Sequence, residues 1–305
     1  MNDIKSVIIT GATGAIGSAL ARVCAEKGIE VNAIVRPDCS RLENLPESGL
    51  VKIIECDISA LPSLEGALRA DAFFHLGWDG TYGDARSDIK RQSLNILYTL
   101  DAVSLASSAG CKVFVGAGSQ AEYGSKGGVL RPDTPCFPKS GYGIAKYASG
   151  ALSRAECSRK GIRHEWCRIL SVYGPCDGQY TLISTLISTL SAGGTAKVTA
   201  GDQIWDYMYS DDAARALLCA AQNGKDGAVY CLGSGKARRL KDYMLDVKNA
   251  IGRGDISFGA IDYYPDQVMH LEADISSLVA DTGFAPLVQF DEGIRRTLEY
   301  NRSHK

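Results

Sequence analysis

Short apolar segments alternate with longer amphipathic ones through the first half of this 305-residue chain. The apolar segments are three to seven residues long, which is typical of strands buried on both faces of a parallel sheet. The alternation predicts an α/β fold with a doubly wound parallel sheet. We expect strands at 7–9, 31–35, 51–55, 72–76, 112–116 and 164–170, and helices at 16–27, 86–108 and 142–159.

The pattern changes after about residue 172, where turn-rich stretches at 174–178 and 193–194 separate shorter elements. We therefore expect two domains. The sheet domain spans 1–172, and a smaller mixed α/β lobe over 173–305 caps the carboxyl edge of the sheet, with some segments returning to the first domain. Helices in this second part are expected at 181–191, 211–222, 239–251, 274–281 and 290–302.

Composition argues against several classes of protein. With 33 Lys and Arg against 35 Asp and Glu, no broad basic surface for nucleic acid is expected. No apolar run reaches the roughly 20 residues of a membrane span, and the first apolar stretch is too short for an export signal. The ten cysteines form no C-x-x-C pair, and the four histidines show no ligand spacing. We expect a cytoplasmic protein that binds no metal, no nucleic acid and no membrane.

The first expected strand leads directly into a glycine-rich loop, Thr10–Gly17, in which glycines recur every third residue. Gly11 permits a tight strand-to-helix turn, Gly14 lets the backbone approach a pyrophosphate, and Gly17 lets helix and strand pack closely. The amino end of the following helix offers N–H groups and partial positive charge to phosphates. This context predicts a dinucleotide-binding Rossmann domain. The predicted cofactor contacts in the loop are Gly11, Thr13, Gly14, Ala15, Ile16 and Gly17.

The end of the second strand bears on which dinucleotide binds. Arg36 lies 19 residues after Gly17, where an NAD site places an acidic residue for the ribose hydroxyls. A cation at this position suits the 2′-phosphate of NADP and has no partner in NAD. We therefore favour NADP(H) as the cofactor, while the nearby Asp38 keeps NAD possible. The predicted contacts to the adenosine half are Arg36, Ser40, Arg41, Asp57 and Ile58.

A tyrosine and a lysine, Tyr142 and Lys146, stand four residues apart on an expected helix, so their side chains share one face. Both groups ordinarily titrate near pH ~10, and the lysine charge favours the phenolate, which suits Tyr142 for proton transfer. Ser119 closes the fifth strand at the carboxyl edge of the sheet, where its hydroxyl can hold a carbonyl oxygen. We predict that Ser119, Tyr142 and Lys146 form the catalytic site.

Together these motifs resemble the extended short-chain dehydrogenase/reductases, in the nucleotide-sugar epimerase/dehydratase group. The resemblance covers nearly the whole chain. Beyond the motifs already described, it is carried by His75-Leu76-Gly77, Asn95, and the stretches 168–175, 206–212, 232–236 and 274–284.

The resemblance implies a role for each group. Tyr142 exchanges a proton with a sugar carbonyl or hydroxyl, Lys146 binds the nicotinamide ribose and lowers the tyrosine pKa, and Ser119 hydrogen-bonds the reacting oxygen. The smaller C-terminal lobe binds a nucleotide-sugar substrate. Family members commonly dimerise through a four-helix bundle, which here implies a homodimer through the helices around 86–108 and 142–159. Further expected contacts are Leu76 and Gly77 to the cofactor, and Trp78, Gln120, Ser171 and Tyr207 to the substrate.

Several positions depart from the family pattern. Dehydratases place Asp-Glu just after the serine or threonine of the catalytic motif, and here those positions hold Gln120 and Ala121. Neither side chain transfers a proton as a carboxyl does, so 4,6-dehydration is not expected. Glu122 lies one residue out of register. Ser171 stands where the family often has Asn, and Trp205 where it often has Arg.

Three interpretations follow. The leading one is an NADPH-dependent reductase of a nucleotide-activated 4-keto-6-deoxy sugar, because cells keep NADP reduced. The second is a nucleotide-sugar 4-epimerase with tightly bound NAD, which uses the same triad. The third is a redox-sensing binding protein on the same fold, although such proteins usually lose the Tyr-Lys pair that this chain retains. Within the enzyme class, a reductase of a small non-sugar carbonyl is a further option.

Overall fold

The computed structural model describes residues 3–304. Its strands are β1 (Ser6–Thr10), β2 (Glu30–Val35), β3 (Val51–Glu55), β4 (Ala72–His75), β5 (Val113–Ser119), β6 (Gly128–Leu130), β7 (Arg163–Ile169), β8 (Ser171–Tyr173), β9 (Thr195–Lys197), β10 (Ile204–Trp205), β11 (Tyr207–Tyr209), β12 (Ala228–Leu232), β13 (Arg238–Arg239), β14 (Asp255–Ser257) and β15 (His270–Ala273). Its helices are α1 (Ala15–Glu26), α2 (Ile89–Ser108), α3 (Gly141–Lys160), α4 (Leu182–Ser191), α5 (Ser210–Asn223), α6 (Leu240–Ile251), α7 (Ser276–Thr282) and α8 (Phe290–Ser303).

Seven strands form one parallel sheet in the order β12-β7-β5-β4-β1-β2-β3. All six strands expected in the first half of the sequence belong to this sheet, and the three expected helices lie between them in the chain. The predicted α/β fold with a doubly wound parallel Rossmann sheet is therefore confirmed. The five later helices also form within two residues of their expected limits.

Apolar side chains on both faces explain why the strands are almost continuously hydrophobic. In β1, Val7 and Ile9 pack into a core shared with α1 and α5, whereas Ile8 packs on the opposite face with α2. Successive strand residues point to opposite faces, so a strand covered on both sides needs apolar residues at every position.

The direction of winding reverses at β1, which pairs with β2 on one side and with β4 on the other. A crevice opens beyond the carboxyl ends of the strands at such a switch point, and ligands of open α/β sheets bind there. The glycine-rich loop follows β1, and Ser119 ends β5 at the same edge of the sheet.

Helix α2 begins later than the expected helix at 86–108. The Asp88 side chain caps α2 by accepting a hydrogen bond from the Arg91 N–H at 3.1 Å. Residues Gly83–Arg86 form a separate short 3₁₀ helix instead. This break sets the Arg86 side chain apart from α2 and beside the sheet edge.

A second core lies in the carboxyl-terminal half, where α4, α6 and α8 pack around Leu186, Leu190, Met244 and Ile294. Two strands link the halves of the chain: β12 joins the large sheet beside β7, and β6 pairs with β15 in a small four-stranded sheet. A domain boundary at 172–173 stays a prediction. No helix within residues 3–304 has the length and apolar character needed to cross a bilayer.

Candidate active site

A cleft of about 940 Å³ runs along the carboxyl edge of the large sheet. It gathers most of the predicted site residues from separate parts of the sequence. Its lining includes Gly11, Thr13, Gly14, Ala15, Ile16, Gly17, Arg36, Arg41, Asp57, Ile58, Leu76, Gly77, Trp78, Ser119, Gln120, Tyr142 and Lys146. Three predicted residues, Ser40, Ser171 and Tyr207, are not part of this lining.

The glycine-rich loop has the tight geometry that its sequence predicts. Gly11 has a φ of +69°, and a Cβ atom there would lie 2.8 Å from the Gly77 nitrogen. A Cβ atom on Gly17 would lie 2.2 Å from the Gly11 carbonyl oxygen, so only glycine lets α1 approach β1 this closely. Gly14 is the N-cap of α1, and within residues 3–304 no side chain caps this helix end. These observations fit a loop whose N–H groups receive a pyrophosphate.

Two arginines line the cleft beyond β2. Arg36 follows the strand directly, and Arg41 comes from the loop after it. Asp57 lies on the same side and accepts hydrogen bonds from the N–H and the hydroxyl of Ser59, at 2.9 and 2.7 Å. Those bonds lower the pKa of Asp57, with a smaller contribution from the Arg36 charge. This end of the cleft therefore combines two cations with one ionised carboxylate.

Lys146 is buried at the centre of the cleft. Its Nζ donates a hydrogen bond of 2.6 Å to the Ala117 carbonyl and lies 3.7 Å from the centroid of the Trp78 ring. Burial lowers the pKa of Lys146 to about 7, the Glu122 charge opposes this, and the Arg86 charge adds to it. The lysine is thus held close to its protonation midpoint at neutral pH.

Tyr142 stands one helical turn before Lys146 on α3, as the spacing predicts. Its ring meets the Trp78 ring edge-on, with centroids 5.9 Å apart. On the Tyr142 ring lies the Arg86 guanidinium, 4.2 Å from the centroid. Burial raises the pKa of Tyr142, whereas hydrogen bonding with Ser119 and the Arg86 charge lower it. The phenol is therefore placed beside both Ser119 and a permanent cation.

Ser119 is the N-cap of a short 3₁₀ helix at the end of β5. Its Oγ accepts a hydrogen bond from the Ala121 N–H at 3.2 Å, while its own N–H donates to Glu122 Oε1 at 2.8 Å. Glu122 is fully buried and also receives Trp166 Nε1 at 2.9 Å and Arg168 Nε at 2.7 Å. Glu122 therefore stabilises the turn that holds Ser119, and its carboxylate is engaged inside the protein.

Comparison with known proteins agrees with this geometry. Residues 7–233 match the NAD dependent epimerase/dehydratase family. This chain belongs to that family. It is 27% identical over 305 residues to a CDP-abequose synthase of Salmonella typhimurium, covering 96% of this chain and 97% of that protein.

Two solved structures show the same fold. UDP-N-acetylglucosamine 4-epimerase from Methanobrevibacter ruminantium M1, in complex with UDP-N-acetylmuramic acid, has a TM-score of 0.89 at 22% identity and covers 99% of both chains. MoeE5 in complex with UDP-glucuronic acid and NAD has a TM-score of 0.84 at 26% identity, covering 98% of this chain and 100% of that one. The epimerase/dehydratase resemblance is confirmed, and the chain is an NAD(P)-dependent enzyme of the extended short-chain dehydrogenase/reductase type.

Two residues expected to touch substrate, Ser171 and Tyr207, have side-chain partners outside the cleft lining, and their contact with substrate stays a prediction. Ser171 Oγ accepts a hydrogen bond from Trp205 Nε1 at 2.8 Å. Ile169, Leu170 and Val172 line the cleft, whereas Ser171 is not part of this lining. Tyr207 is paired with Ser171 in register across β8 and β11, and its ring packs against Tyr173, Tyr243 and Phe290.

Several cleft residues were not predicted from the sequence motifs, and Arg86 is the one that lies on the Tyr142 ring. Arg86 belongs to no recognised pattern, and the sequence places it at the start of an expected helix rather than beside Tyr142. A helix start predicted at Asp88, instead of at residue 86, would have indicated that Arg86 lies outside α2. No three His, Cys, Asp or Glu side chains between residues 3 and 304 converge as a metal site would require.

Proposed function

We propose that this enzyme is an NADPH-dependent reductase of a nucleotide-activated 4-keto-6-deoxy sugar. The observation that carries the proposal is the set of proton-transfer groups at the cleft centre. Tyr142, Lys146 and Ser119 meet there, while Gln120 lines the cleft where the family's dehydratases have a carboxyl group. The Glu122 carboxylate, next in the chain after Ala121, is buried and accepts hydrogen bonds from Trp166 and Arg168. Reduction needs a proton donor and no second carboxyl acid or base, which is what this centre offers.

The residues divide the work as follows. When bound, the nicotinamide supplies a hydride to the substrate carbonyl. The Tyr142 hydroxyl donates a proton to the carbonyl oxygen. The Ser119 hydroxyl holds that oxygen as negative charge develops on it. Lys146 binds the nicotinamide ribose, and its charge makes Tyr142 a stronger acid.

Arg36 and Arg41 support NADPH over NADH. Both line the cleft at the end of β2, where a Rossmann site places the adenosine ribose. Guanidinium groups bind phosphate with two parallel hydrogen bonds, and only NADP carries a 2′-phosphate there.

The substrate class is supported by a relative that aligns over nearly the whole chain. The name CDP-abequose synthase denotes formation of a CDP-linked deoxy sugar, and that protein aligns over 96% of this chain. Trp78 and Gln120 are the cleft residues that we propose to contact the sugar, since both lie beside the catalytic centre.

A nucleotide-sugar 4-epimerase with tightly bound NAD is the second candidate. It uses the same three side chains, and MoeE5, a structural relative at 26% identity, holds NAD. An epimerase oxidises and re-reduces its own substrate, so its cofactor does not exchange with solution. Denaturing the purified protein and identifying the released cofactor separates the two candidates.

The reductase proposal is tested directly by mixing enzyme, NADPH and CDP- or dTDP-linked 4-keto-6-deoxyglucose and following absorbance at the nicotinamide band. We expect stoichiometric NADPH oxidation and a 4-hydroxy product. Turnover of a 4-hydroxy sugar nucleotide without added cofactor, with NAD released on denaturation, would instead establish the epimerase.

We also propose a homodimer through α2 and α3. These helices pack on each other and expose apolar side chains at positions three apart, Leu94 and Leu97 on α2, and Ile144 and Tyr147 on α3. A shared apolar face of this kind is stabilised when a second copy covers it. Leu97→Glu should convert dimer to monomer in light scattering, whereas Leu287→Glu, at an exposed apolar position elsewhere, should not. A monomeric wild type would overturn the proposal.

The thiol state agrees with a cytoplasmic location, which we propose as the site of this activity. All ten cysteines are free, and six of them are buried. Burial raises the pKa of Cys24 and Cys111 to about 12, so these thiols stay protonated and unreactive. Fractionation of the native cell should recover the protein in the cytosol.

A further inference from the structure

Arg86 is a charged side chain that touches the catalytic tyrosine and has no assigned role. Its guanidinium carbon lies 4.2 Å from the Tyr142 ring centroid, and the residue lines the cleft. Its hydrogen-bond partner within residues 3–304 is the Thr81 carbonyl, at 3.4 Å, and no carboxylate in that range pairs with it. The positive charge of this half-buried guanidinium is therefore not neutralised by a carboxylate of the described residues, and it faces the Tyr142 ring.

The fold fixes Arg86 in this position. Two buried side chains of α2, Gln92 and Asn95, hydrogen-bond to the backbone of the loop over 79–87. Gln92 Nε2 donates to the carbonyls of Gly80 and Ala85, at 2.7 and 2.8 Å. Asn95 accepts the Asp79 N–H at 2.8 Å and donates to the Asp79 carbonyl at 3.0 Å. The loop that carries Arg86 is therefore anchored at both ends.

Gln92 also holds a second residue of the site, Trp78. Gln92 Oε1 accepts a hydrogen bond from Trp78 Nε1 at 2.9 Å. Trp78 in turn contacts both Tyr142 and Lys146. The result is a pair of adjacent rings, Tyr142 and Trp78, with the Arg86 cation on the first ring and the Lys146 cation on the second.

We propose that Arg86 is a positioning residue for Tyr142, which holds the phenol ring against Trp78 and keeps a permanent positive charge beside it. This inference rests on the proposed role of Tyr142 as the proton donor. It deepens that role by naming the residue that orients the acid.

The charges around Tyr142 explain why a second cation is useful. Lys146 has a pKa of about 7, so it loses its charge as the pH rises past neutrality in the free enzyme. An arginine stays protonated throughout this range. Glu122 acts in the opposite sense and raises the Tyr142 pKa. The ionisable groups that face Tyr142 from the surrounding elements are Lys146, Arg86, Tyr82 and Glu122, with Asp177 beyond Tyr82.

The test compares Arg86→Met and Arg86→Lys with wild type by pH-dependent turnover. Methionine keeps the length of the side chain and removes the charge, so kcat should fall roughly 3- to 30-fold, the range of a cation–π contact. Loss of a positive charge raises the pKa of both Tyr142 and Lys146, so the descending limb of the pH profile should move to higher pH. Lysine should leave that limb near its wild-type position and recover part of kcat. Lys90→Gln, which removes an exposed charge from the first turn of α2, should change neither.

A double-variant cycle decides whether Arg86 acts through Tyr142. In a Tyr142→Phe background, Arg86→Met should cause no further loss of rate. An effect of the same size in both backgrounds, or a rise in substrate KM with an unmoved pH limb, would show that Arg86 binds a substrate anion, and the inference would be wrong.

The same cycle separates this inference from the proposed function. If Tyr142→Phe abolishes turnover while Arg86→Met behaves like wild type, only the role of Arg86 fails. If Tyr142→Phe turns over like wild type, the acid has been assigned wrongly and the proposed function fails first.

Discussion

The end of the cleft that we propose for the cofactor, here called the cofactor end, is shaped mainly by backbone. The end that we propose for the reaction, here called the reaction end, is formed by side chains from separate elements. Gly11, Gly14 and Gly17 shape the first region because none of them carries a Cβ atom. At the other end, Ser119, Tyr142 and Arg86 come from a strand end, a helix and a loop. A backbone site follows from one contiguous motif, while a side-chain site depends on how distant segments pack. The two regions should therefore respond differently to substitution.

The largest expected effect is at the reaction end. Tyr142→Phe keeps the ring between Arg86 and Trp78 and removes only the hydroxyl. It should slow reduction by roughly 10²–10⁴-fold, which is the rate contribution of a general acid. NADPH affinity and the melting temperature should stay near wild type. Single-turnover NADPH oxidation measures the rate, and Tyr264→Phe, at a largely exposed tyrosine, is the matched control. A Tyr142→Phe enzyme as fast as wild type would contradict the assignment.

A pair of glycine variants tests the backbone character of the cofactor end. A Cβ on Gly17 would lie 2.2 Å from a backbone oxygen, so Gly17→Ala should destabilise the free protein by about 1–3 kcal/mol and weaken cofactor binding. On Gly14 the nearest atom would be 3.5 Å away, so Gly14→Ala should melt like wild type. It should still lose NADPH affinity, because its methyl group occupies the approach of the pyrophosphate.

Thermal melts and fluorescence titration with NADPH distinguish the two glycine effects. If Gly14→Ala bound NADPH as tightly as wild type, the contrast between the cofactor end and the reaction end would be wrong. The pyrophosphate would then lie away from this loop, and the loop would be an ordinary tight turn.

The next effect concerns the choice of dinucleotide. We expect wild type to bind NADPH more tightly than NADH by roughly ten- to a hundredfold, since a charge-assisted contact contributes about 1.5–3 kcal/mol. Arg36→Ala should remove most of this preference, whereas Lys52→Ala, on the neighbouring strand β3, should keep it. Both affinities are measured by fluorescence titration. Equal affinities in wild type would leave NAD as the cofactor and favour the epimerase.

The smallest effect is a pH dependence at the junction of the two regions. Lys146 has a pKa of about 7 in the free enzyme. We propose that its charged form binds the ribose and the negatively charged cofactor. NADPH binding should therefore take up a proton above that pH. Affinity should be constant below pH about 6 and fall by at most tenfold per pH unit above about 7. Lys146→Met should bind weakly with a flat profile, and a flat wild-type profile would show that Lys146 stays charged.

The sequence predicted best where local chemistry leaves few choices. The apolar runs specify buried parallel strands because both faces are covered, and the spacing of Tyr142 and Lys146 specifies one helical face. It did not indicate the side-chain partner of Ser171. Ser171 was expected to contact substrate from its place in a motif, and that contact stays a prediction. In the structure its Oγ accepts a hydrogen bond from Trp205, 34 positions away, which no local pattern of residues indicates.

The sequence by itself therefore determined the doubly wound fold and the glycine-rich loop, because each depends on local periodicity or local spacing. It also predicted that Ser119, Tyr142 and Lys146 share one site, and all three line the cleft. Tertiary structure alone decided that the Glu122 carboxylate accepts hydrogen bonds from Trp166 and Arg168. It also brought Arg86 onto the Tyr142 ring, through a loop anchored on α2. Such contacts join residues dozens of positions apart, and their geometry depends on packing that no short stretch of sequence encodes.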